Sequence, residues 1–246
     1  MSRPLRSYVD STTICPDHPQ LASAYVCAIQ RVSIYLEHYS GALFDPDPNH
    51  QPWFEPNVLK VSDVSCVGHL SMWSMVDAYA SQVATVFETD LNSSRACPTA
   101  TTTCVQHLHC ILQRLPDDSD IFTAPPTWIA ECSDFFALCR ALDLRSTRPN
   151  AAGRFNRWGD AAVSKLLARK RPALVPVMDS VAGDRYPSAV GIRAKWAAFH
   201  SEVYGDTVLT AALAGIHAAA CGSTPWITPL RLLDIIVWMH ESPSGR

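Results

Sequence analysis

From Phe155 to Val181 the chain reads FNRWGDAAVSKLLARKRPALVPVMDSV. The spacing predicts a tight turn closed by Gly159, then a short helix, a basic exit at Arg169-Lys170-Arg171-Pro172, and an apolar run ending on Asp179. An acid placed straight after Val175-Pro176-Val177-Met178 starts its segment from a largely desolvated position. A carboxylate there is costly unless it has partners or a task. Two roles fit Asp179: the N-cap of a helix opening at Ser180-Val181, and a catalytic group.

Outward from this stretch the periodicity is helical. Ala22–His38 carries Val26, Ile29, Val32, Tyr35 and Leu36 at helical spacing and is cut off at Ser40-Gly41. Further helices are expected over Lys60–Val86, Thr102–Arg114 and Trp128–Leu142, and then from Asp160, Ala189, Asp206 and Pro229. Leu142–Trp158, rich in Arg, Asn and Gly, reads as a loop, and Leu174–Val177 as an extended connector. The proline- and acid-rich run Phe44–Pro52 marks a boundary. The expected class is all-α, with residues 1–54 as an N-terminal helical extension and loop and 55–246 as one helical domain. The Trp226–Trp238 helix, apolar on nearly every face, is expected to close the core.

Composition narrows the classes. At 246 residues, 48% apolar and 17% charged, the chain is globular rather than low-complexity. The net charge of -3 hides an asymmetry. Residues 1–139 hold 6 Lys+Arg against 15 Asp+Glu, whereas residues 140–246 hold 14 against 8. Arg140, Arg145, Arg148, Arg154, Arg157, Lys165, Arg169, Lys170 and Arg171 fall within one short span. Such a cluster is either a polyanion-binding face or a solvated surface. Nine cysteines without framework spacing, and an N-terminus without an apolar signal region, are read as reduced thiols in a cytoplasmic protein. The apolar stretch Val208–Cys221 is too short to span a bilayer, so no membrane segment is expected.

On these residues the Gly159–Asp179 interval resembles the helix-hairpin-helix superfamily of DNA glycosylases. There a glycine-containing hairpin precedes a helix, and an apolar segment leads to an aspartate followed by a valine. The resemblance puts Phe155–Gly159 on the hairpin, Ala162–Leu167 on the helix and Met178-Asp179-Ser180-Val181 on the aspartate motif. It implies a helix-hairpin-helix-like core, double-stranded DNA as partner, and phosphate contacts by backbone amides at a helix start. It also implies Asp179 as the carboxylate that meets an oxocarbenium-like sugar while a base is flipped out. Arg157, Trp158, Gly159, Lys165, Arg169, Lys170 and Arg171 are the DNA-binding residues it suggests. Departures limit the match: Arg157 and Asn156 stand where a hairpin glycine and proline are usual. Ala161 stands where bifunctional members carry a nucleophilic lysine, so a Schiff-base lyase is not expected. The implied activity is monofunctional base excision; the alternative is a non-catalytic DNA-binding or protein-interaction module on the same fold. The fuller stretch, with Leu230–Met239 (LRLLDIIVWM), is similar over residues 55–246 to an actinobacterial family of unknown function.

Other patterns carry less. Cys104, His107 and Cys110 share part of a helix, but no second pair stands at finger spacing, so no metal is expected. Only Cys221 follows Cys139, which leaves no four-cysteine cluster site. No Walker, dinucleotide or nucleophile-elbow glycine pattern occurs, and no cofactor is expected.

Overall fold

A computed structural model describes residues 3–15, 23–38, 44–47, 51, 54–68, 100–141, 145–149, 155–157, 159–222, 224 and 226–242, with backbone alone at 61, 100–105, 145–149 and 155–157. Helix α1 (Ala24–His38) turns Ala24, Cys27, Ala28, Val32 and Tyr35 inward at three- and four-residue spacing. That stripe packs on α8 (Thr207–Ala220) and α9 (Pro229–Glu241). Helix α8 is opened by Asp206, whose carboxylate accepts the N–H groups of Val208 and Leu209. Helix α9 is opened by Thr228 with Pro229 at its first position, where a missing N–H costs nothing. Nearly all of α9 is buried, from Leu230 to His240, as expected of a helix apolar all round.

A second group surrounds α5 (Asp160–Lys170), which packs against α2 (Val61–Gly68) and α4 (Trp128–Ala141). Helix α3 (Ala100–Arg114) lies on α4, and α4 on α7 (Ile192–Val203). Helix α7 starts behind Gly191, which has φ +80. The short α6 (Ser180–Asp184) rests on α9. Buried apolar residues from Leu5 to Met239 form one cluster, so the first residues share their core with the last helix.

The chain is predominantly helical, as the periodicity predicts. The loop expected over 142–158 is corrected in part. Arg145–Pro149 (β1) and Phe155–Arg157 (β2) pair antiparallel, with Arg145 opposite Arg157 and Pro149 opposite Phe155. Five residues face three across that register, so the ribbon is irregular. Phe155–Arg157 is therefore strand rather than hairpin turn; Trp158 lies outside the described residues. The expected Lys60–Val86 helix is described only to Gly68. The reading of wholly reduced thiols is corrected as well: Cys15 and Cys27 form a disulfide that ties the N-terminal segment to α1. Among the described residues, no helix is long and apolar enough to cross a membrane.

Candidate active site

Two side chains hold the extended connector that delivers Asp179. The Val177 N–H donates to Asp234 Oδ2 at 3.1 Å, and the Met178 N–H to Ser164 Oγ at 3.1 Å. A proline at 176 and these two anchors keep the segment from joining either neighbouring helix. Asp179 then caps α6: its Oδ1 accepts the Ala182 N–H at 3.1 Å. Its Oδ2 faces Lys165 Nζ at 4.0 Å, too long for a hydrogen bond. The Asp179 side chain keeps 14% of its surface exposed.

Asp179 lines a cavity of about 40 Å³ whose wall also includes Tyr35, Lys165, Phe199, Asp234 and Trp238. That is room for very few waters, and far less than the several hundred Å³ of a typical ligand pocket. Its charges are set by burial. Asp234, on α9, has its carboxyl pushed up to about 7, chiefly by burial, with the nearby Asp179 and Asp45 adding to the rise. Arg231 opposes that rise. Lys165 is held below the ordinary lysine range by burial, partly offset by Asp179. Arg231, also on the wall, pairs with buried Asp45 at 2.5 Å and lies over the Tyr35 and Phe44 rings. Arg185 closes another side. It donates to the Tyr8 hydroxyl at 2.7 Å and to the Arg3 carbonyl, so the N-terminal segment grips the cavity wall.

The sequence-derived site residues divide. Asp179 stands at the cavity and also acts as the cap. Lys165 is buried in the cavity wall rather than on a phosphate-facing surface. The Arg169-Lys170-Arg171 triplet is corrected outright: all three are buried and partnered inside the protein. Arg169, with 0% exposure, donates to Asp63 Oδ1 at 3.2 Å, to the Phe44 carbonyl and to Gln51 Oε1. Lys170 meets Asp63 Oδ2 at 2.5 Å and the Glu55 carbonyl at 2.8 Å. The Phe54 ring lies beneath both cations, 5.3 Å from the Arg169 guanidinium and 4.7 Å from Lys170 Nζ. Arg171 donates to the carbonyls of Leu112, Leu115 and Pro56 and to Asn57 Oδ1. The first two carbonyls belong to the exposed-acceptor end of α3, where a cation is favoured. The triplet thus stitches residues 44–63 and the end of α3 to α5 from inside the protein. Gly159 is exposed and caps α5 in extended backbone, with Asp160 in the first turn. Arg157 is in β2, with its side chain outside the description.

The sequence does not mark Asp234, Arg231 or Arg185, and marks Tyr35 only as part of the apolar stripe of its helix. The signal for the first two was present: an arginine and an acid inside the apolar run LRLLDIIVWM raise the same desolvation question as Asp179. No group of His, Cys, Asp or Glu placed to hold a metal occurs among the described residues. Residues 85–241 match the pattern of a family of unknown function, DUF6308. Neither a curated protein nor a solved structure gives a match.

Proposed function

The chain belongs to the family DUF6308, and from the Asp179 cavity we propose that it hydrolyses an N-glycosidic bond in DNA. The observation that carries this reading is the posture of Asp179. One carboxylate oxygen is fixed by the Ala182 N–H and the other is directed toward a lysine in an enclosed, aromatic-walled cavity. A fixed carboxylate in low dielectric is the group that opposes positive charge developing on a sugar at C1′. The local resemblance of Gly159–Asp179 to the glycosylases supports the same assignment through the helix and the aspartate motif, whereas Phe155–Arg157 form strand in place of the hairpin it implies. For the DNA contact, support narrows to Arg157, Trp158 and Gly159. Arg145 and Arg157 share one register position of the ribbon that leads into α5, which brings two bases to one place along the backbone. A flipped base exceeds the present cavity, so binding requires α6 or partly buried Trp238 to move.

A second reading is favoured by that same volume and by the burial of Arg169, Lys170 and Arg171: a non-catalytic interaction module in which Asp179 is a cap alone. Incubation with duplexes bearing uracil, hypoxanthine, alkylated or oxidised bases separates the two. The enzyme reading expects base release by the wild type and none by Asp179→Asn, which keeps the size and capping ability of the side chain. Absence of release from every duplex assigns the chain to the module.

A further inference from the structure

We propose that Asp234 is a second functional carboxyl of the cavity, the acid that protonates the departing group while Asp179 remains the carboxylate opposite C1′. The assignment rests on the glycosidic reading above and deepens it. Both side chains line one enclosed cavity, Asp179 from the start of α6 and Asp234 from the middle of α9. They are linked through the backbone: Asp234 Oδ2 accepts the Val177 N–H, two residues before Asp179, so Asp234 helps to place the connector that delivers Asp179. The charged groups around Asp234 are Arg231 on its own helix, Asp179 and Asp45, and the cavity wall adds Lys165 on α5, Arg185 beyond α6 and Tyr35 on α1, whose hydroxyl accepts from Arg231. Two of them are acids close enough to disfavour a further negative charge, and burial works in the same direction. Asp234 therefore holds a proton for a large part of the time near neutral pH, where an ordinary carboxyl has lost it. A buried carboxyl that keeps its proton is suited to act as an acid.

The chemistry balances. A proton passes from the Asp234 carboxyl to a ring nitrogen of the base, and the C1′–N bond breaks with its electron pair leaving on the base. Asp179 opposes the positive charge left at C1′. Water adds its oxygen to C1′ and yields a proton to the Asp234 carboxylate, which restores the starting state. This arrangement selects a substrate class. An uncharged base is a poor leaving group until protonated, whereas a base already cationic by alkylation leaves without an acid. The site is thus built for neutral bases, deaminated or oxidised, rather than for cationic alkylated ones.

The test uses single-turnover release from two duplexes, one carrying hypoxanthine and one carrying the cationic N7-methylguanine. Asp234→Asn retains an acceptor for the Val177 N–H and so leaves the connector in place. On hypoxanthine the variant loses roughly 100-fold or more in rate. On N7-methylguanine it stays within about threefold of wild type, since no proton is needed there. The wild-type rate on hypoxanthine falls about tenfold per pH unit above neutrality, and Asp234→Asn has no such limb. A folding readout is independent of activity: between about pH 4 and 7 the wild type loses stability relative to Asp234→Asn, because only its folded form holds the extra proton. Equal losses on both duplexes, or no loss on hypoxanthine, overturn the acid role and leave the Asp179 reading standing. Release of neither base by the wild type overturns both.

Discussion

Asp63→Asn exposes how the basic end of α5 is held. Asp63 is buried, with its two oxygens divided between two cations: Oδ1 on Arg169 Nε at 3.2 Å and Oδ2 on Lys170 Nζ at 2.5 Å. Among the described residues it is the carboxylate that both cations meet. Removing one partner of a buried ion pair costs about 3–5 kcal/mol, because the remaining charge is stranded. The two cations respond differently. Lys170 is already depressed to about 8, by burial first and by Arg169 and Lys60, and without Asp63 it falls further and sheds its proton near neutrality. Arg169 cannot lose its proton, but it keeps the Phe44 carbonyl and Gln51 as acceptors. The cost therefore settles near the lower bound, about 3 kcal/mol, or roughly 6–12 °C in Tm for a chain of this size. Thermal and urea unfolding followed by circular dichroism measure it, with the midpoint moving and the urea slope unchanged. Adding Lys170→Met to Asp63→Asn should recover part of the loss, since the buried amine left without its partner is gone. A change below about 1 kcal/mol, the range of exposed ion pairs, would refute the buried arrangement.

Three further outcomes follow from the same geometry. Replacing Arg169, Lys170 and Arg171 together by Ala leaves the chain unfolded at 25 °C by far-ultraviolet circular dichroism, rather than folded with weakened DNA binding, because the main-chain carbonyls they satisfy are left buried and bare. Lys170 sits at about 8 when folded and near its ordinary value when unfolded, so its contribution to stability rises from about pH 8 to pH 10.5. Lys170→Met should lose that rise when the two proteins are compared across the window, which also cancels the opposing fall from the buried thiols of Cys132 and Cys139. Reduction of the Cys15–Cys27 disulfide opens a loop with a sequence separation of 12. It should lower unfolding stability by about 3 kcal/mol, read from denaturation with and without a dithiol.

Much of the fold was legible because helical periodicity survives wherever one face is dry. Val32 and Tyr35 in α1, Leu209, Leu213 and Ile216 in α8, and the continuous apolar run of α9 all follow their spacing inward. The Asp206 and Asp179 caps are likewise local chemistry, written in one residue and the turn after it. The β1–β2 ribbon was not legible, since its Arg-, Asn- and Gly-rich segments lack the alternation that marks a strand. The fate of Arg169-Lys170-Arg171 was hidden for a different reason. A run of three bases reads as surface, and the acid and carbonyls that enclose it come from residues 44–63 and 112–115, far away in sequence. The clue was Leu166-Leu167 before the triplet and Leu174-Val175 after it, which leave a short basic segment between two buried ones. The same holds for the cavity: Asp179 was marked by the apolar run before it, but its companion Asp234 lies on a helix whose apolar residues mark it only as core.

The claim that Asp179 opposes positive charge at C1′ can be measured without knowing the lesion. Duplexes bearing a cationic pyrrolidine in place of an abasic sugar imitate that charge, and a neutral tetrahydrofuran site is the matched control. The wild type should bind the pyrrolidine duplex roughly tenfold or more tighter than the control, and Asp179→Asn should bind the two alike, with the control affinity unchanged. Equal affinity of the wild type for both duplexes, or a preference that survives in Asp179→Asn, would contradict the assignment.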